Sequence, residues 1–104
     1  MIDSWRKAWN KNFPFYFVQI APYTYGDNHI NGALLREAQT KSTSFPKTGM
    51  VVVSDLVNNV KDIHPKNKID VAIRLANMAL AEVYGQAIGA YKSPSYKSMS
   101  VEKD

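Results

Sequence analysis

Hydrophobic and polar positions alternate along this chain in blocks whose spacing changes from helical to strand-like and back. In "MIDSWRKAW", Trp5 and Trp9 stand at i and i+4, one face of a short helix that Asp3-Ser4 is placed to cap. Pro14 ends that block. "FYFVQI", 15–20, is almost continuously apolar, aromatic and β-branched, as expected of a strand covered on both faces, and Pro22 stops it. "YTYGDNHING", 23–32, has no period and reads as loop. "ALLREAQTK", 33–41, reads as a helix with Leu34, Leu35 and Ala38 facing inward. After the loop "STSFPKTG", "MVVVSD", 50–55, is a second buried strand.

The most regular block comes last. Ile69, Ile73, Ala76, Leu80 and Val83 recur at helical spacing. Asn67 can cap this helix with Asp70 three residues on, or Pro65 can take its first position; Gly85 closes it. The remainder, "QAIGAYKSPSYKSMSVEKD", loses periodicity, and no internal repeat is visible. The order helix, strand, helix, strand, helix predicts an α/β fold with parallel strands. Two strands and their crossover make a single βαβ unit, few for a sheet needing cover on both faces. The pattern therefore predicts part of a larger doubly wound sheet.

Composition sets the bounds. With 104 residues and 45% hydrophobic content the chain is long enough for one small domain with a core. The net charge of +4 is carried by scattered lysines, which predicts a solvated surface rather than a nucleic-acid stripe. No apolar run approaches a membrane span, so no membrane partner is expected. The absence of cysteine excludes disulfides and thiolate metal sites. The first twelve residues lack the apolar stretch of a secretory signal, and localisation stays undetermined.

Candidate chemistry gathers beyond the carboxyl ends of the strands, where open α/β sheets place functional loops. One such loop carries Tyr23, Tyr25, Asp27 and His29; the other carries Asp55, Asp62 and His64. His64 has the residue type of a general base, and Asp62, two positions earlier, is near enough to orient it. The same pair also suits a plain turn in which His64 packs at a helix start. His29, His64 and nearby acids lack paired metal-ligand spacing, so neither metal nor cofactor is expected. None of the serines at 4, 42, 44, 54, 93, 95, 98 and 100 lies in a nucleophile elbow. Ser54, at a strand end beside Asp55, is the first to consider as nucleophile, although a strand-end serine more commonly bonds backbone. The isolated glycines offer no oxyanion turn. On its own residues the chain holds half a catalytic apparatus.

The stretches "MIDSWRKAW", "FPFYFVQIAPY", "ALLREAQ", "GMVVVSDL", "DIHPKNKIDVAIRLANMALAEVYG" and "YKSMSVE" resemble, in order, the carboxyl-terminal part of the catalytic domain of sialate O-acetylesterase-type proteins, in the SGNH (GDSL-like) hydrolase superfamily. The resemblance implies a three-layer α/β/α fold with a five-stranded parallel sheet. It implies ester hydrolysis that removes O-acetyl groups from sialic acid or other sugars through a serine nucleophile and a histidine base. By that resemblance His64 is the catalytic histidine and Asp62 its carboxylate partner. Many members space these residues three apart, whereas here they are two apart, and Asp55 is the alternative carboxylate.

The superfamily's nucleophile stands in a GQS- or GDS-like turn near the start of its domain, and the Gly and Asn of its oxyanion hole come from earlier segments. None has a match here. The resemblance therefore implies that residues 1–86 are the carboxyl-terminal portion of an esterase domain whose amino-terminal part is missing. Residues 87–104 are then a loose tail or a junction to a following domain. The expected partners are an O-acetylated sugar and the upstream segment bearing the nucleophile. A two-strand core with open edges also predicts self-association.

Overall fold

The computed structural model describes residues 1–26 and 30–102. Its elements are α1 (Ile2–Ala8), β1 (Phe15–Val18), α2 (Ile30–Ser42), β2 (Thr48–Val51) and α3 (Lys68–Glu82), with a single 3-10 turn at Ser54–Leu56. β1 and β2 pair in parallel, Phe15 opposite Thr48 through Val18 opposite Val51, with α2 as the crossover. The expected βαβ unit is present, and its two strands are parallel.

Side chains alternate across a strand, and here each face meets different helices. Tyr16, Val18, Val51 and Val53 meet α3 through Val71, Leu75 and Met78. On the other face Phe15 receives the edge of Trp5 from α1, ring centroids 5.8 Å apart. Gln19, buried, donates from its amide to the Arg36 carbonyl and the Thr40 hydroxyl of α2, both at 3.1 Å. The result is a thin α/β/α sandwich with Val51, Val53 and Met78 as its fully buried apolar centre. Arg6 fastens α1 to it, its guanidinium donating to the carbonyls of Phe13, Pro46 and Lys47 at 3.0–3.2 Å.

Several local expectations need correction. α1 begins at Ile2, ahead of its expected Asp3-Ser4 cap, so Asp3 lies in the first turn, where its charge suits the helix dipole, and no side chain caps the end. β1 is shorter than 15–20 and all four of its residues are only half-buried, whereas Gly49 and Val51 of β2 are buried. β2 runs over 48–51 rather than 50–55; Ser54 and Asp55 belong to the 3-10 turn. α2 starts by Ile30, inside the stretch expected to be loop. Leu34, Leu35 and Ala38 are exposed, because α2 is tied to the chain just after β1 by polar groups instead: Arg36 and Thr40 accept from Gln19, and the Gln39 side chain accepts from the Ile20 amide.

The cap of α3 is the expected one. Asn67 accepts from the Asp70 amide at 3.1 Å and donates to the Asp70 carboxylate at 2.6 Å. Gly85, at φ +64°, turns the chain so that the Gln86 amide reaches the Leu80 carbonyl at 3.0 Å. The buried stripe of α3 is different from the expected one. Val71, Leu75 and Met78 face the sheet, whereas Ile69 and Ile73 are 75% and 50% exposed. This helix is apolar on two sides, and the sheet takes one of them. Beyond Gly85 the described chain carries no helix or strand. Tyr91 nevertheless packs against the core and Lys92 pairs with Glu82 at 3.0 Å.

Candidate active site

Parallel pairing sets the chain after β1 and the chain after β2 at the same end of the sheet, the end where α/β folds carry their chemistry. One hydrogen bond ties the two loops together, from the Thr24 amide to the Val60 carbonyl at 3.0 Å. Tyr23 and Tyr25 stack edge to face beside it, centroids 5.1 Å apart. Asp27 and His29, the other candidates of the first loop, lie outside the described residues. Among the described residues no group of three His, Asp or Glu side chains converges as a metal site would require.

The second loop brings Asp62 and His64 together. Asp62 Oδ1 accepts the His64 backbone amide at 2.9 Å, the two-residue turn that aspartate favours. The same oxygen lies 3.5 Å from Nδ1 of the His64 ring. The backbone N–H from His64 is the main cause that holds the Asp62 carboxyl below its ordinary value, with the His64 ring and Lys66 adding to it. Asp62 is thus a carboxylate at neutral pH, fixed against the residue it would serve. The His64 side chain is 88% exposed. It lines a cavity of about 190 Å³ whose wall includes Leu56, Asn58, Asn59, Asp62 and Lys66. The ring is not packed away, and a reacting hydroxyl can approach it from outside the chain.

The alternative carboxylate is committed elsewhere. Arg74 of α3 grips Asp55 with both ends of its guanidinium, Nη1 to Oδ1 at 2.8 Å and Nη2 to Oδ2, and Nη1 also reaches the Val52 carbonyl at 2.7 Å. This fork pulls the Asp55 carboxyl down to about 2. Ser54 lines a separate cavity with Asp55, Arg74, Asn77 and Tyr91, a wall to which His64 does not contribute. Asp62 is therefore the carboxylate placed beside the imidazole, and the structure does not bring Ser54 into its cavity. Sequence reasoning passed over Arg74. An arginine flanked by Val71 and Leu75 on the core side of the helix was the signal that it reaches back toward the sheet.

Comparison with family models and with curated proteins gave no match. Among solved structures the chain is similar to a carbohydrate acetylesterase from Xanthomonas citri, with 39% sequence identity and a TM-score of 0.83 over 96% of this chain. The chain spans 24% of the length of that enzyme. Nearly all of this sequence thus has the mixed α/β fold of one quarter of a carbohydrate acetylesterase.

Proposed function

We propose that this chain forms the His/Asp end of a Ser-His-Asp site in a carbohydrate O-acetylesterase, with the nucleophilic serine supplied by polypeptide outside this sequence. The observation that carries the reading is an open imidazole set against a carboxylate at the strand tips, in a chain 39% identical to part of a carbohydrate acetylesterase. In this reading His64 Nε2 takes the proton of the incoming serine as its oxygen attacks the acetyl carbonyl. It then returns the proton to the departing sugar oxygen. Asp62 holds Nδ1 and steadies the imidazolium formed in between. The 3.5 Å separation is longer than a hydrogen bond, and such contacts tighten once substrate closes the site. By its sequence resemblance the sugar belongs to the sialic acids or to other O-acetylated sugars.

A chain that lacks the nucleophile loses nearly all the unit supplies, because triad members act together: about 10⁴–10⁶-fold in kcat. The chain alone is therefore expected not to turn over p-nitrophenyl acetate. Co-production with the amino-terminal segment of such an esterase is expected to restore turnover, and His64→Ala to abolish it. Turnover by the chain alone that vanishes in His64→Ala would overturn the missing-serine reading. A complemented enzyme indifferent to His64→Ala would overturn the assignment of the base. A second reading, an α/β module without catalysis, is favoured by the apolar outer side of α3; it predicts that no segment restores turnover.

A further inference from the structure

We infer that Arg74 is a positioning residue for His64, clamping the two ends of the loop that presents the imidazole. The inference rests on the reading of His64 as the base. The loop leaves β2 through Val52 and Val53, makes the 3-10 turn at Ser54–Leu56, passes Asp62 and His64, and enters α3 at Lys68. Its middle is joined to the rest of the described chain by the Thr24–Val60 hydrogen bond, and its other hydrogen bonds are local: Asn59 accepts from the Lys61 and Asp62 amides, and Asp62 from the His64 amide. Its two ends are joined by Arg74, which stands on α3 and holds both the Val52 carbonyl and the Asp55 carboxylate. Buried Val53 sits between those two acceptors, so the fork fixes the exit of the strand relative to the helix that begins just after His64.

The geometry is that of a bidentate arginine–carboxylate pair, the arrangement in which guanidinium adds direction as well as attraction. A lysine at 74 has one point of charge and cannot span both acceptors. The Arg74 side chain is 31% exposed and that of Asp55 61%, so the pair stands at the surface, where ion pairs contribute little to stability. Its consequence is accordingly local: it sets where the loop starts and returns, and through that where the ring points.

The test is nuclear magnetic resonance on the isolated chain, which requires no activity and so does not depend on complementation. Backbone order parameters and the ring Cε1–H signal of His64 are compared in the wild type, Asp55→Ala, Arg74→Gln and Arg74→Lys. Asp55→Ala removes an exposed carboxylate and keeps the apolar core, which guards against a variant that fails to fold. Order parameters for residues 57–66 are expected to fall from the rigid range, about 0.85, to below about 0.6 in Asp55→Ala and Arg74→Gln. Residues 75–82 should stay rigid and the His64 ring signal should move to its unstructured position. Arg74→Lys should give an intermediate loss. An unchanged loop and ring signal in Asp55→Ala would overturn the inference. So would loosening shared equally by α3, since the pair would then be a plain stabilising contact. Failure of complementation with these signals as expected would sink the esterase reading and leave the clamp standing.

Discussion

Gly49 sits in β2 directly opposite Tyr16 and beneath Met78 of α3. A Cβ built there falls 2.8 Å from Tyr16 Cδ1 and closer still to Met78 Sδ. Ordinary carbon contacts begin near 3.5 Å, so both neighbours are too close by well over half an ångström. Met78 is 3% exposed and packs against Val51 and Val53, so relieving the clash means turning its thioether out of that cluster or shifting the Tyr16 ring. Overpacking of this kind costs about 1–3 kcal/mol. With a urea m-value of about 1–3 kcal/mol/M, a loss of about 2 kcal/mol lowers the midpoint of Gly49→Ala unfolding by about 1 M. The clash can be separated from other effects by trimming its partner. Met78→Ala alone leaves a cavity and is expected to cost about 2–5 kcal/mol. In the Gly49→Ala background the new methyl fills part of that space, so the double variant should be more stable than the summed single losses by about 1 kcal/mol or more. Urea unfolding followed by circular dichroism gives all four values. A Gly49→Ala midpoint equal to wild type, or strictly additive losses, would refute the packing argument.

Other outcomes follow from single contacts. Asn67→Ala removes the cap of α3 and should cost about 1 kcal/mol, read as a lower urea midpoint with helix content otherwise retained. Asp55 titrates near 2 when folded against 3.8 ordinarily. Its value is lowered on folding, so the stability it contributes is complete above about pH 4 and is lost as pH falls through about 2. The pair is exposed and that contribution is small, so the titration is read directly: the carboxyl carbon signal of Asp55 should titrate near 2 in the wild type and closer to its ordinary value in Arg74→Gln, and no difference between the two would count against the pairing. The outward isoleucines of α3 and the strand edges that have no strand partner among the described residues should drive self-association. Sedimentation of Ile73→Lys should then show smaller species than wild type at the same concentration, and a wild-type chain monomeric throughout would contradict this.

The chain announces some of these features and conceals others for physical reasons. The start of α3 is legible because Asn67 and Asp70 have the spacing that a cap demands. Which side of α3 is buried is not, because Ile69, Ile73 and Leu80 make as good a helical stripe as Val71, Leu75 and Met78. Periodicity detects a stripe without knowing what lies opposite it. The early start of β2 is hidden by Gly49, a poor strand residue kept at a point of close approach where propensity loses to packing. α2 is misread at its beginning because Asn31-Gly32 resembles a turn, while Gly32 is in fact buried against the ring of Tyr25, 3.0 Å from where a Cβ would stand. The nearness of Asp62 and His64 is legible because a two-residue turn leaves them little choice. The Arg74–Asp55 fork is not, because it closes over nineteen positions of chain that only the fold brings together.

The parallel register has a kinetic consequence. Every rung joins residues 33 positions apart (48 − 15), so the sheet cannot begin until a loop of that length has closed. Closure of so long a loop forfeits about 3 kcal/mol of chain entropy before the first rung repays it. The helices, whose bonds span four residues, form on far shorter timescales. Helical turns can therefore form and dissolve many times before the strands pair, and until they pair FYFV and TGMV lack each other's cover. The interval before the strands pair therefore adds an aggregation hazard of its own to that of the open edges of the finished sheet.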